Sequence, residues 1–150
     1  MAALVGVLLL SVFVVSGAAV GGTASPSAAT VVKVAFNKKL KKAIVVDGRG
    51  RTLYMFTADA KGKPTCITAL NPGCEQLWPP LTSKGTPVAG KGIIASKLDV
   101  MKRSDGKRQV RYNRHPLYFY VNDPKPGAAN GQDLYGVWYV LSPKGTPIRK

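Results

Sequence analysis

The side chains of this 150-residue chain that could do acid–base or nucleophilic chemistry are few. The sequence contains one histidine, His115, two cysteines, Cys66 and Cys74, and only seven Asp and Glu residues. A nucleophile of the Ser-His-Asp or Cys-His type needs a histidine beside it, so such a site would have to centre on His115. His115 precedes Pro116 at the start of a predicted strand, which is more typical of a surface or strand-end residue. We therefore predict no catalytic residues.

The two cysteines enclose only the seven residues ITALNPG. In an oxidising compartment, such a pair is expected to form a disulfide that staples a loop. The alternative is a two-thiolate metal site, which needs further ligands although His115 is the sole histidine. No cofactor is predicted, and a metal held through carboxylates stays an open alternative.

Two of the carboxylates, Asp59 and Asp123, each end a copy of the pattern Leu-Tyr-x-aromatic-x-x-Asp, LYMFTAD at 53–59 and LYFYVND at 117–123. Both lie among turn-forming residues, where a carboxylate accepts backbone N–H bonds, so turn capping is the expected role. A metal-binding or catalytic carboxylate is the alternative, since pseudo-symmetry could bring Asp59 and Asp123 near each other.

The period of two in these motifs predicts strands. Tyr54 and Phe56 would point to one face, as would Tyr118 and Tyr120 in the second copy, while the alternate residues are also apolar. A strand with two apolar faces is covered on both sides, so these aromatic residues are expected in the core, with tyrosine hydroxyls bonded to backbone groups.

A second pair of segments also recurs, WPPLTSKGTPV at 78–88 and WYVLSPKGTPI at 138–148. We assign a structural role to Trp78, Pro79, Pro80 and Trp138. Two repeats, at about 40–88 and 104–148, would pack face to face with approximate twofold symmetry in a single domain, residues 31–150.

The 16 Gly and 11 Pro residues favour short strands and turns over helices. We predict an all-β fold with minimal helix, a small β-sandwich or barrel-like domain. Hairpin turns are predicted at Asp47-Gly48 and Asp105-Gly106, one helical turn at 74–77, and a link between the halves at 84–97. Besides the motifs, strands are predicted at 31–36, 43–46, 109–112 and 137–141.

Residues 1–30 have the pattern of an export signal and a small-residue tether, with an uncharged apolar run at 3–20. The expected location is therefore secreted or extracytoplasmic, in the cell envelope. Cleavage after Ala18 or Ala24 is the favoured interpretation, and the run is also long enough to be an uncleaved anchor. No cysteine follows it closely, so lipid attachment through an N-terminal cysteine is not expected.

The net charge of +15 lies entirely on residues 33–150. Such a field attracts polyanions, so we expect a basic surface that contacts an anionic cell-wall polymer or a membrane. Nucleic acid is not expected as a partner, since the chain is exported and has no nucleic-acid motif. The basic surface comprises Lys38, Lys39, Lys41, Lys42, Lys102, Arg103, Lys107, Arg108, Arg111 and Arg114.

The two motif copies resemble the Tyr-x-(Phe/Trp/Tyr)-x-x-Asp signature of a bacterial family described as a secreted repeat of unknown function, often predicted lipoproteins. The cysteine pair before WPPL, the run VRYNRHPLY at 110–118, and NGQ at 130–132 before Val137-Trp138 are also similar to it. The resemblance covers about residues 40–145. It implies an envelope or secreted location and no catalytic residues.

Three hypotheses for function follow. The first is an exported, non-enzymatic scaffold or binding module. The second is an envelope protein that binds a metal or redox cofactor, and the third is an enzyme acting on an envelope polymer. The ligand and the oligomeric state are left open.

Overall fold

The computed structural model describes residues 29–149, apart from the side chain at position 61. Most of the predicted export segment, residues 1–28, therefore lies outside the described residues. Two 3₁₀ turns, Ala60–Gly62 and Ala95–Lys97, accompany the regular elements. These are β1 Val31–Asn37, β2 Lys42–Asp47, β3 Tyr54–Phe56, α1 Cys74–Leu77, β4 Val88–Ala89, β5 Leu98–Lys102, β6 Arg108–Tyr112, β7 His115–Pro116 and β8 Trp138–Val140.

The strands form three small sheets, ordered β2-β1-β4, β3-β8 and β5-β6-β7. The prediction of a strand-rich fold with minimal helix is confirmed, and α1 is the one helical turn expected at 74–77. The barrel-like alternative is not seen, because the sheets of residues 29–149 do not join into a closed barrel. The division into repeats at about 40–88 and 104–148 stays a prediction.

Two antiparallel hairpins carry most of the pairing. β1 pairs with β2, with Val34 opposite Val45, and β5 pairs with β6, with Val100 opposite Val110. The second hairpin turns at the predicted Asp105-Gly106, where Gly106 has a φ of 83° that only glycine adopts without strain. The chain also reverses after β2 at the predicted Asp47-Gly48, where Asp47 donates its N–H to Arg51 O.

The second motif copy, 117–123, is not the continuous strand that its period predicts. Tyr118 forms isolated bridges with Tyr54 on one side and Pro80 on the other. The backbone around it bonds to several different segments in turn, as when Phe119 donates to Pro79 O. Because no single partner runs alongside for several residues, the segment does not belong to a regular ladder. Leu117 and Tyr118 are buried, and the chain reaches the surface at Val121.

The core has two clusters, and the motif segments lie between them. The period of two holds in both copies: Leu53, Met55 and Leu117 enter one cluster, while Tyr54 and Tyr118 enter the other. The aliphatic cluster is Val32, Val45, Leu53, Met55, Leu81, Val110, Tyr112, Leu117, Tyr139 and Leu141. The aromatic cluster is Ile44, Val46, Tyr54, Cys66, Trp78, Tyr118, Trp138 and Val140.

The aliphatic cluster should dominate the stability of the domain. Leu53 is 0% exposed, so Leu53→Ala removes buried methyl groups and leaves a cavity, and we expect a loss of about 2–5 kcal/mol in the free energy of unfolding. Leu70, 65% exposed, is the matched control, and Leu70→Ala should change stability by less than about 0.5 kcal/mol. Urea unfolding of both variants checks this, and equal effects would contradict the assignment of the core.

Candidate functional site

Cys66 and Cys74 form the predicted disulfide, with their Cα atoms 5.3 Å apart. A bonded pair offers no thiolate ligand, so the two-thiolate metal site is wrong. Among residues 29–149, no group of three or more His, Cys, Asp or Glu residues is placed to hold a metal ion. The bond closes the loop that leads into α1, and the Cys66 sulfur lies 3.9 Å from the carbonyl oxygen of Trp78.

The tyrosines and aspartates of the two motif copies are joined crosswise. The Tyr54 hydroxyl donates to Asp123 Oδ2 at 2.6 Å, and the Tyr118 hydroxyl donates to Asp59 Oδ2 at 2.8 Å. The backbones of Tyr54 and Tyr118 also exchange two N–H···O bonds, of 2.9 and 3.0 Å. The sequence prediction of backbone partners holds for Tyr54, whose hydroxyl also accepts the N–H of Gly131 at 3.3 Å. It missed that each hydroxyl donates to the carboxylate of the other copy.

The second oxygen of each aspartate holds a loop. Asp59 Oδ1 accepts the N–H and the hydroxyl of Thr65, at 2.7 and 2.8 Å. Asp123 Oδ1 accepts the N–H of Asn130 at 2.8 Å. Each carboxylate thus ties a nearby loop of its own copy to the tyrosine of the other copy, which is a structural use of both oxygens.

Electrostatics keep these tyrosines as neutral donors. Burial raises the pKa of Tyr54 and Tyr118 far above the ordinary value, and the hydrogen bonds to Asp123 and Asp59 raise it further. Burial also raises the pKa of Asp59, against the opposing effect of its bonds from Thr65 and Tyr118. These two tyrosines therefore act as hydrogen-bond donors.

A stack of four aromatic rings lies beside the crossed pairs. Trp78 and Trp138 are parallel, with centroids 3.8 Å apart, and Tyr120 and Phe56 extend the stack at 4.3 and 4.2 Å. Both indoles are almost fully buried. Stacked rings of this kind contribute about 0.5–1.5 kcal/mol beyond area burial. Because both indoles are buried, the centre of the stack is core rather than an exposed platform.

The two prolines after Trp78 help to position the second motif copy. Pro79 accepts the N–H of Phe119, and Pro80 bridges to Tyr118.

His115 lies in β7, opposite Tyr112 of β6, and is half-buried. Burial lowers the pKa of its imidazole. The oxygens of Asp59 and Asp123 are bonded to tyrosines and loop amides, so neither carboxylate is paired with His115.

Arg103 is not part of the basic surface, which corrects the sequence prediction. Its side chain is 0% exposed, and its Nη2 contacts Glu75 Oε1 at 2.6 Å and Asp105 Oδ2 at 2.8 Å. Its Nη1 donates to Gln109 Oε1, and its Nη2 to Cys66 O. A buried guanidinium needs such compensation, so Arg103 ties α1 and the disulfide loop to the β5–β6 turn.

Two other predicted surface cations are also paired. Lys107 contacts both Glu75, at 3.0 Å, and Asp105, at 3.6 Å. Arg111 forms two hydrogen bonds of 2.7 Å with Asp99. The remaining predicted surface cations are exposed: Lys38, Lys39, Lys41, Lys42, Lys102, Arg108 and Arg114.

A groove of about 820 Å³ has a basic and hydroxyl-rich lining, and we call it the basic groove. The cations that line it are Lys84, Lys107 and Arg108, and none of the described residues in its lining is a carboxylate. The full lining is Ala29, Thr30, Pro80, Thr82, Ser83, Lys84, Gly85, Thr86, Gly106, Lys107 and Arg108.

Backbone hydrogen bonds fix the walls of the basic groove. Ser83 donates its N–H to Arg108 O at 3.0 Å, and Thr82 pairs with Gln109 in an antiparallel bridge. The Thr30 hydroxyl donates to Thr82 O at 3.2 Å, which holds the start of β1 against the same segment. Hydrogen bonds among three chain segments therefore form the groove without a ligand.

Residues 99–142 match the model of a protein family described as a secreted repeat of unknown function. The matched stretch runs from β5 to β8 and contains the second motif copy and Trp138, and the first copy lies outside it. The match confirms the resemblance to this family for residues 99–142 and agrees with an extracytoplasmic location, while the two-copy extent stays a prediction. No curated protein and no solved structure matches the chain. Within residues 29–149, no helix has both the length and the apolar character to cross a membrane.

Sequence reasoning missed the groove residues Thr82, Ser83 and Lys84 as a site. They belong to the recurring segment at 78–88, in which the sequence suggested a role only for Trp78, Pro79 and Pro80. The groove exists because tertiary pairing brings Ser83 beside Arg108. No local sequence pattern marks these residues as neighbours of Arg108.

The crossed pairs can be tested by removing one hydroxyl at a time. Tyr118→Phe should lower the free energy of unfolding by about 1–3 kcal/mol, because the buried Asp59 loses a donor. Tyr54→Phe should cost a similar amount, because the buried N–H of Gly131 also loses its acceptor, although Asp123 is more exposed than Asp59. Tyr135→Phe, at an exposed hydroxyl, is the control and should be neutral. Thermal and urea unfolding measure all three, and a neutral Tyr118→Phe would refute the structural role.

Acid should weaken the ion pairs around Arg103. Burial acts to raise the pKa of Glu75, but hydrogen bonds from Lys107 and Thr68 and the charge of Arg103 outweigh it and lower the pKa from 4.5. Burial also acts to raise the pKa of Asp105, but hydrogen bonds from Arg103 and Lys107 outweigh it and lower the pKa from 3.8. The unfolded chain then binds more protons than the folded protein, so stability is lost as pH falls below these ordinary values.

We expect the urea midpoint to fall between about pH 5 and pH 3, and Glu75→Gln to reduce that pH dependence. Asp99→Asn, which breaks the exposed pair with Arg111, is the matched control. Its urea midpoint should depend on pH as steeply as that of the parent. A slope unchanged by Glu75→Gln would show that other groups control acid stability.

Proposed function

We propose that the protein is an exported, non-enzymatic binding module that holds an anionic polymer of the cell envelope in the basic groove. One observation carries the proposal: three cations, Lys84, Lys107 and Arg108, line one preformed groove whose described lining contains no carboxylate. Cations beside hydroxyl groups are the chemistry that phosphate-rich or carboxylate-rich chains require.

The three cations of the basic groove differ in how freely they can contact a ligand. Lys107 is held by Glu75 and Asp105, so part of its charge is compensated. Lys84 and Arg108 are exposed. These two side chains are therefore the main contacts for a polyanion, and the exposed Thr82 and Thr86 add hydroxyl donors beside them.

The charge balance of the whole chain supports the same class of ligand. The chain has 22 Lys and Arg against seven Asp and Glu. Two of the seven carboxylates, Asp59 and Asp123, are bonded to tyrosine hydroxyls instead of cations. The long-range field is thus strongly positive and raises the local concentration of polyanions. A concave groove favours a flexible chain over the flat surface of a bilayer, so we choose the polymer over the membrane.

The test uses a synthetic poly(glycerol phosphate) oligomer, titrated calorimetrically against the full protein at several salt concentrations. Affinity should fall steeply with added salt, because binding releases counterions. The double variant Lys84→Glu with Arg108→Glu should lose more than about 10-fold in affinity. Lys38→Glu with Lys42→Glu is the matched control, since it makes the same change in net charge on the β1–β2 hairpin.

Equal losses in the two double variants would show that net charge alone acts and that the groove is not the site. Affinity that does not change with salt would also overturn the proposal. Tighter binding to vesicles of anionic phospholipid than to the polymer, with the same loss in the groove variant, would assign the groove to a membrane surface instead.

A further inference from the structure

A second cleft, of about 600 Å³, lies beside the disulfide and has a different chemical character. One wall is α1 with the loop that precedes it, and the other is the segment before β8. We call it the aromatic cleft. Its lining includes Phe56, Asn71, Gln76, Leu77, Tyr135 and Val137.

The aromatic cleft has no charged side chain among the described residues that line it. This is unusual in a chain with a net charge of +15. It shares no lining residue with the basic groove. Because a polyanion gains nothing from a lining without cations, the complementary ligand for this cleft is electrically neutral.

Tyr135 is the most conspicuous residue of the cleft. Its side chain is 83% exposed, and its φ of 55° lies in the left-handed region that disfavours residues with a Cβ. Such a conformation costs about 1 kcal/mol or more and persists only where the surroundings fix it. Here Val137 and Trp138 both donate N–H bonds to Leu134 O, which closes the loop around Tyr135. The fold therefore holds an aromatic ring in water at an energetic cost.

The opposite wall presents an apolar side chain and two amides. Leu77 is exposed at the end of α1, and the exposed Asn71 and Gln76 carry amide groups that both donate and accept hydrogen bonds. The disulfide of Cys74 and the ion pairs of Glu75 fix this wall. A rigid pair of walls reduces the entropy lost when a ligand binds.

We propose that the aromatic cleft binds a neutral glycan. A pyranose ring offers a C–H face that packs on an aromatic ring, here Tyr135, and a rim of hydroxyls that pair with amides, here Asn71 and Gln76. Both features match a lining that is aromatic, amide-bearing and uncharged. This site is additional to the basic groove, and it gives the protein contacts with two chemically different polymers.

The test titrates the full protein with three uncharged oligosaccharides, an N-acetylglucosamine hexamer, cellohexaose and maltohexaose. Calorimetry gives the affinity, and tryptophan fluorescence gives the location, because Trp78 and Trp138 also line the cleft. At least one probe should bind with an affinity that does not depend on salt. Tyr135→Ala should weaken that binding by about 10-fold or more, as for a central aromatic contact.

The controls separate a binding role from a structural one. Phe36→Ala removes another exposed aromatic residue, outside the cleft, and should leave glycan affinity unchanged. Tyr135→Gly relieves the left-handed strain, so its Tm should be equal to or above that of the parent while glycan binding is lost.

The absence of binding by all three probes at millimolar concentration would overturn the proposal. Parent-like glycan affinity in Tyr135→Ala would do so as well. An equal loss in the variant Lys84→Glu with Arg108→Glu would place the glycan in the basic groove instead. Binding of poly(glycerol phosphate) is measured separately, so failure of the groove and failure of the cleft are distinguishable.

Discussion

The crossed bonds between Tyr54 and Asp123, and between Tyr118 and Asp59, are the constraint on which the rest of the structure depends. A buried hydroxyl or carboxylate without a partner costs about 1–3 kcal/mol, so neither motif copy can satisfy its own polar groups alone. Each copy completes the other, and the two tyrosine backbones are paired at the same point. The rings of these two tyrosines also pack edge-on against Trp78 and Trp138 at the centre of the stack.

This use of the polar residues limits what chemistry remains. Asp59 and Asp123 hold loops and tyrosines, Cys66 and Cys74 are bonded to each other, and the pKa of His115 is lowered by burial. The two aspartates and the two cysteines are thus occupied in structure. The described surface has two concave features, a basic groove and a cleft lined by uncharged side chains.

The sequence predicted those features that local pattern controls and failed where distant segments decide. The period of two in LYMFTAD placed alternate side chains in different clusters, and the cysteine spacing gave the disulfide. Arg103 looked like one member of a basic run. Its pair with Asp105 is local, but its pair with Glu75 spans 28 residues and is beyond local pattern. The crossed partners of Tyr54 and Tyr118, 69 and 59 residues distant, were equally beyond local pattern. Nothing in the sequence around Tyr135 signals its left-handed backbone.

The single turn of α1 connects the two candidate sites. Its Glu75 contacts Lys107, which lines the basic groove, while its neighbours Gln76 and Leu77 line the aromatic cleft. The disulfide at Cys74 and the buried Arg103 fix this turn from two directions. A four-residue helix has little intrinsic stability, so its position must come from these bonds. The contacts that order one wall of the cleft therefore also compensate part of the charge in the groove, because Glu75 pairs with Lys107. A polyanion bound in the groove would have to compete with that pair.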